Sequence, residues 1–280
     1  MRVRAWGVRG SIPTPGSKTA AFGGNTPCVQ VTGDDGSELI LDAGSGIRVL
    51  GADLFGRCKR LHILLTHLHL DHIQGLLFFA PMFDPEAEIT VWGPPGRIPL
   101  RKRLARYLSN PLSPIEIRDL PARVTFEEAP SDGWRLGEFG VRASLVAHRG
   151  PTLGYRVEQS GASLCYLPDH EPGLGTNLSS MPADWISGLG LARGATALIH
   201  DSQYTDEEYP FRWGWGHSSL SDALAFAQRS QPEDLLLFHH NPSHDDGRLR
   251  SLAGQATEDA ARLGIDSRVQ LAREGEALDL

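Results

Sequence analysis

THLHLDH, residues 66–72, gathers three imidazoles and one carboxylate within six positions. On an extended segment, side chains two apart point the same way, so His67 and His69 face one side. Asp71 and His72 fall where the chain turns into the next element and can face the same cavity from another angle. Imidazole and carboxylate together suit zinc, with manganese or iron as alternatives. One tetrahedral catalytic centre needs about three protein donors and an open position. Two adjacent centres need about seven or eight contacts, with one carboxylate shared.

The rest of the chain supplies the remaining donors. VRASLVAH (141–148), SLCYLPD (163–169) and DLLLFHH (234–240) read as apolar strands ending on His148, Asp169 and His239. With Asp169 shared, the seven residues make eight contacts, and the count favours two divalent ions. His239 is preferred to His240 because strand alternation sends only one of them into the site. His62 alternates with the apolar residues of its own strand and reads as no ligand. His170 reads as a neighbour of Asp169.

Strands are also expected at ELILD (38–42), LHILLT (61–66), EITVWG (88–93) and ATALIHD (195–201), with TLGYRVEQ and SLCYLPD paired as a hairpin. Helices are expected near 46–54, through IQGLLFFAPMF, through LSDALAFAQRS with Ser219 or Ser221 as N-cap, and near 247–263. In the last, Leu249, Leu252, Ala253, Ala256, Ala260 and Leu263 form the apolar stripe. Strands alternating with helices predict a layered α/β protein with its site beyond the carboxyl ends of the strands. VTGDDGSELILDAG and VEQSGASLCYLPDH echo one another as strand, turn, strand, aspartate, which hints at two similar halves.

With 280 residues, 40% of them hydrophobic, one domain spanning 1–280 is expected. No apolar run suits a signal peptide or a membrane span, so a cytoplasmic protein is expected. Cys28, Cys58 and Cys165 form no disulfide framework, and Cys165 reads as a core residue. A net charge of −7 argues against stable binding of duplex nucleic acid and leaves small anionic substrates open. The one basic cluster, RIPLRKRLAR with Arg97, Arg101, Lys102, Arg103 and Arg106, reads first as a solvated helix face and second as a phosphate-contacting rim.

THLHLDH followed in order by VAH, YLPD and LFHH resembles the metallo-β-lactamase fold of binuclear hydrolases, over nearly the whole chain. The resemblance implies a four-layer αββα sandwich, two mixed sheets flanked by helices, with the metals at one edge of the sheets. It implies that His67, His69 and His148 hold one ion, that Asp71, His72 and His239 hold the other, and that Asp169 bridges. Asp42, in LDAG, would fix a ligand imidazole by hydrogen bonding, with His200 also beside the site. HDSQYTDEEY (200–209) and GHSS (216–219) resemble the His-Glu-Ala-Thr and His-Ser-Thr boxes of the tRNase Z-like phosphodiesterases, with Asp201 where the family has glutamate. The start of the chain, GVRGSIPTPG with GGNTPCV, resembles the same group.

In tRNase Z a long arm for tRNA is inserted between the elements matching His148 and Asp169. Here 20 residues separate them, and the hairpin uses them all. The resemblance therefore implies the smaller phosphodiesterases that act on cyclic nucleotides or other small phosphodiesters. The expected chemistry is attack by a metal-bridging hydroxide that Asp71 orients. His217, held by Asp201, acts as acid or phosphate contact. Tyr209, Phe211, Trp213 and Trp215 would either stack a base or cover the sheet edge. The expected partner is a small phosphoester, with no membrane; a homodimer is compatible. The rivals are a thioester or lactone hydrolase of the same fold and a metal-dependent binding protein without turnover.

Overall fold

The structure, a computed structural model, describes residues 1–280. The apolar runs become strands because they are covered on both faces. Strands β1 (Arg2–Gly7), β2 (Cys28–Thr32), β3 (Glu38–Leu41), β4 (Arg60–Leu64), β5 (Glu88–Gly93) and β6 (Arg123–Glu128) lie side by side in chain order. A second sheet holds β7 (Trp134–Leu136), β8 (Phe139–Leu145), β9 (Leu153–Gln159), β10 (Ala162–Leu167), β11 (Ala197–Asp201), β12 (Asp234–Phe238) and β13 (Arg268–Leu271). The final strand, β14 (Ala277–Asp279), returns to the first sheet beside β1, giving seven strands in each.

The two sheets share one plan. In the first, β2 runs antiparallel to β3, then β4, β5 and β6 follow parallel. In the second, β9 runs antiparallel to β10, then β11, β12 and β13 follow parallel. The sequence echo between residues 31–44 and 157–170 is this repeat: the β2–β3 and β9–β10 hairpins occupy matching places.

Strand alternation divides the core into layers. Leu39, Leu41, Leu164, Tyr166, Ala197 and Ile199 point between the sheets. Ile40 and Ile63 point outward, under helix α1 (Ile47–Leu54). Cys165, Leu167 and Leu198 point outward in the other sheet. There they meet the helices that follow α2 (Leu70–Ile73) and α3 (Leu100–Leu104): α4 (Leu189–Ala192), α5 (Leu220–Ser230) and α6 (Asp246–Leu263). This is the four-layer αββα sandwich. No helix is long and apolar enough to cross a membrane.

Two local expectations need correction, and one choice between alternatives is decided. IQGLLFFAPMF is not a helix: after one turn of α2 the chain passes through two 3₁₀ turns, Leu76–Phe78 and Ala80–Phe83. Gly75 packs its backbone onto the Gly44 carbonyl, and Pro81 removes a helix donor. In α6, Leu263 is exposed, because the helix ends there at the left-handed Gly264 while the buried stripe stops at Ala260. Of the two N-cap candidates for α5, Ser219 caps it: its Oγ accepts from Asp222 N at 3.1 Å.

Candidate metal centre

Seven donors meet at the carboxyl ends of the strands. THLHLDH follows β4, His148 follows β8, Asp169 follows β10 and His239 follows β12. The two carboxylate oxygens of Asp169 face two different sets. Oδ2 lies 3.7 Å from His67 Nε2 and 3.6 Å from His148 Nε2. His69 Nδ1 completes this set, 2.8 Å from His67 Nε2 and 3.2 Å from His148 Nε2. Oδ1 of Asp169 lies 3.0 Å from His72 Nε2 and 3.3 Å from His239 Nε2. Asp71 Oδ2 completes the second set, 3.5 Å from His72 Nε2 and 3.3 Å from His239 Nε2.

These spacings suit cations. Donors about 2.0–2.2 Å from one tetrahedral ion stand roughly 3.3–3.6 Å from each other. His72 Nε2 and Asp169 Oδ1 are both buried and, although close, make no hydrogen bond to each other or to anything else. Orphaned buried polar atoms are costly unless something between them satisfies both. Asp42, Asp71 and Asp169 surround His72 and outweigh its burial, which alone would lower it, so the imidazole is held well above its ordinary pKa. Burial alone would raise the Asp169 carboxyl, but the imidazoles of His239, His72 and His67 hold it well below the usual range. The pocket draws positive charge, and its donor chemistry is that of zinc or a similar divalent ion.

The outward nitrogens of four of the imidazoles are pinned, which fixes the nitrogen facing the centre. His72 Nδ1 meets Asp42 Oδ2 at 2.8 Å. His67 Nδ1 meets Thr66 Oγ1 at 3.0 Å, and Thr66 donates in turn to Asp42. His148 Nδ1 donates to the Gly216 carbonyl at 2.7 Å, and His239 Nδ1 to Gln203 Oε1 at 3.2 Å. Gly216 has φ 91°, and a Cβ there would stand 2.4 Å from His148 Nδ1, so only glycine fits. Ser11 N donates to Asp71 Oδ2 at 2.7 Å.

Beside the two sets lies the pair Asp201 and His217. The shorter acid reaches its histidine: His217 Nδ1 is 2.6 Å from Asp201 Oδ2. Asp201 is wholly buried and also accepts from the backbone N–H groups of Gln203 and His170. The His217 ring stacks on His239, centroids 5.0 Å apart, and meets the His148 ring edge-on at 5.0 Å. Burial holds the His217 imidazole below its ordinary pKa, opposed by the carboxylates of Asp169 and Asp71.

Other expected residues land elsewhere. His200 points away from the donors, a correction that follows from alternation along β11: Asp201 faces the site, so His200 faces α5. There it stacks on Phe226 and meets His170 Nδ1 at 3.0 Å. His240 is outside the donor sets, its Nε2 donating to the Ala272 carbonyl. His62 contacts Trp92. Phe211, Trp213 and Trp215 are exposed. Two buried groups had no sequence signal. Glu171 accepts from Tyr209 OH, Gly214 N and Gly216 N, and so clamps the aromatic loop. The Arg9 guanidinium donates to the Gly23, Asn241 and His244 carbonyls and ties the loop carrying Ser11 to the loop after β12.

The fold and the donor cluster define a class: the chain belongs to the beta-lactamase superfamily, whose family model, described as "Beta-lactamase superfamily domain", matches residues 39–240. It is a metal-dependent hydrolase of that fold. It is 30% identical over 264 residues to the ribonuclease Z of Mycolicibacterium gilvum, covering 84% of this chain and 87% of that one. Two solved structures share the fold. The metallo-beta-lactamase fold protein YhfI from Bacillus subtilis superposes with TM-score 0.71 at 17% identity, covering 99% of each chain. A diphosphatase from the PhnP family superposes with TM-score 0.70 at 18% identity, covering 100% of this chain and 97% of that one.

Proposed function

We propose that this hydrolase is a phosphodiesterase acting on a small phosphodiester such as a linear or cyclic nucleotide, with two zinc ions in the two donor sets. His67, His69 and His148 would hold one, Asp71, His72 and His239 the other, with Asp169 shared. Two such ions, when bound, supply Lewis acidity toward the phosphate and make water nucleophilic near neutral pH. The chain's own residues do the rest. Asp71 orients the attacking water. Asp201, saturated with N–H donors, fixes the His217 tautomer and ring plane. His217 Nε2 then contacts the phosphate or hands a proton to the leaving oxygen.

The observation that carries this reading is the Asp201–His217 pair, its imidazole stacked on the His239 ring of one set and meeting the His148 ring of the other edge-on. A thioester releases a thiolate, a better leaving group than a phosphodiester alkoxide, and needs such an acid less. A second reading, ribonuclease action, is favoured by the M. gilvum relative. Against a tRNA-processing role, β9 and β10 fill most of the stretch between His148 and Asp169.

The test assays bis(p-nitrophenyl) phosphate, a 2′,3′-cyclic nucleotide, short RNA, a lactone and a thioester on one metal-loaded preparation. The phosphodiesters are expected to turn over. His217→Ala is expected to keep its metal and lose turnover by about 10²–10⁴-fold. Turnover unchanged by the substitution removes His217 from the mechanism.

A further inference from the structure

We infer that the arginine-lined cavity beside the donor sets binds a second phosphate of the substrate, outside the bond that is cleaved; this rests on the phosphodiesterase reading. The cavity, about 390 Å³, opens onto His67 and His69 and is walled by Arg97, Arg103, Arg106 and Arg149. No carboxylate lines it, although the chain carries 34 acidic against 27 basic residues. Four guanidinium groups around one space repel one another, and an anion between them relieves the repulsion.

The four arginines are not equivalent. Arg103 is already engaged: its Nη2 donates to the Pro94 carbonyl at 2.6 Å and meets Glu128 at 3.4 Å. Arg149 is anchored by Nε, which donates to the Gly214 carbonyl at 3.0 Å, so its terminal nitrogens stay free. Arg97 and Arg106 carry neither an ion pair nor a hydrogen bond. They flank α3, one before it and one after, and converge on the same space. Unpartnered guanidinium forks suit the paired oxygens of a phosphate. Arg149 follows His148 directly, so the cavity and the first donor set are joined by one backbone link.

The scissile phosphate at the metals does not need this wall. A phosphate at a further position of the same molecule would reach it, as in a nucleotide phosphorylated at a second hydroxyl. The basic cluster is thus only in part a plain solvated face: Arg97, Arg103 and Arg106 line the cavity, whereas Arg101 and Lys102 lie outside it.

The test is titration calorimetry on zinc-loaded protein with adenosine 3′,5′-bisphosphate and adenosine 5′-monophosphate. The bisphosphate is expected to bind about tenfold tighter or more. The double substitution Arg97→Gln with Arg106→Gln is expected to bring the ratio near one. Both side chains are exposed and unpartnered, so the fold tolerates the change. Equal affinities in the parent protein, or a ratio unmoved by the substitutions, overturn the inference. Bis(p-nitrophenyl) phosphate, with its single phosphate, is assayed on the same samples. Preference without turnover removes the phosphodiesterase reading and keeps the anion pocket; turnover without preference does the reverse.

Discussion

Asp42 holds a left-handed backbone, φ 60°, as do Ser11 and His239 at φ 63°. Non-glycine residues keep this conformation where their surroundings over-determine it, and such strain gathers at functional sites. For Asp42 the surroundings are visible: it accepts from Thr66 N, Thr66 Oγ1, Tyr166 OH and His72 Nδ1. One carboxylate therefore orients His72 directly and His67 through Thr66, one imidazole of each donor set. Asp42→Ala is expected to weaken metal binding by about 10–100-fold, read by competition with a chelator. Affinity equal to that of the parent chain would mean that Asp42 orients nothing. The strain on His239 also revises the reason for choosing it over His240. Alternation plays no part in its placement, because β12 ends at Phe238 and a left-handed turn at His239 brings its imidazole beside Asp71 and Asp169.

The strands that carry donors were readable because burial on both faces makes them apolar runs, and an imidazole or carboxylate at the end of such a run stands out. β6, β7, β13 and β14 were not read from the sequence. They are edge or near-edge strands, short or largely exposed, and lack that contrast. The stretch after α2 is as apolar as a buried helix, but periodicity cannot foresee the Gly75–Gly44 approach that forces 3₁₀ turns there. Helix α5 was legible from its cap. Ser219 and Asp222 form reciprocal hydrogen bonds at its start, two residues after His217. Ser219→Ala is expected to cost about 1 kcal/mol in urea unfolding. A stability equal to the parent's would mean that the cap contributes nothing.

Each sheet gives the centre part of its donors: those of THLHLDH follow a strand of the first, and His148, Asp169 and His239 follow strands of the second. Bound ions would therefore clip the two halves together at their open edge, and binding that is confined to the folded state stabilises it. The donors were legible in the sequence because imidazoles and carboxylates announce themselves. Of their supports only Asp42 was, because Gln203, the Gly216 carbonyl and Glu171 act through position alone. The pairing of the basic cluster with Arg149 likewise appears only once the two sheets are packed. Whether Asp169 is shared between two ions is tested by an anomalous-difference map from crystals grown with zinc, recorded at the zinc edge. Two peaks about 3.5–4 Å apart are expected, one against His67, His69 and His148, the other against Asp71, His72 and His239, with an Asp169 oxygen on each. A single peak, or two peaks of which only one touches Asp169, would contradict the sharing.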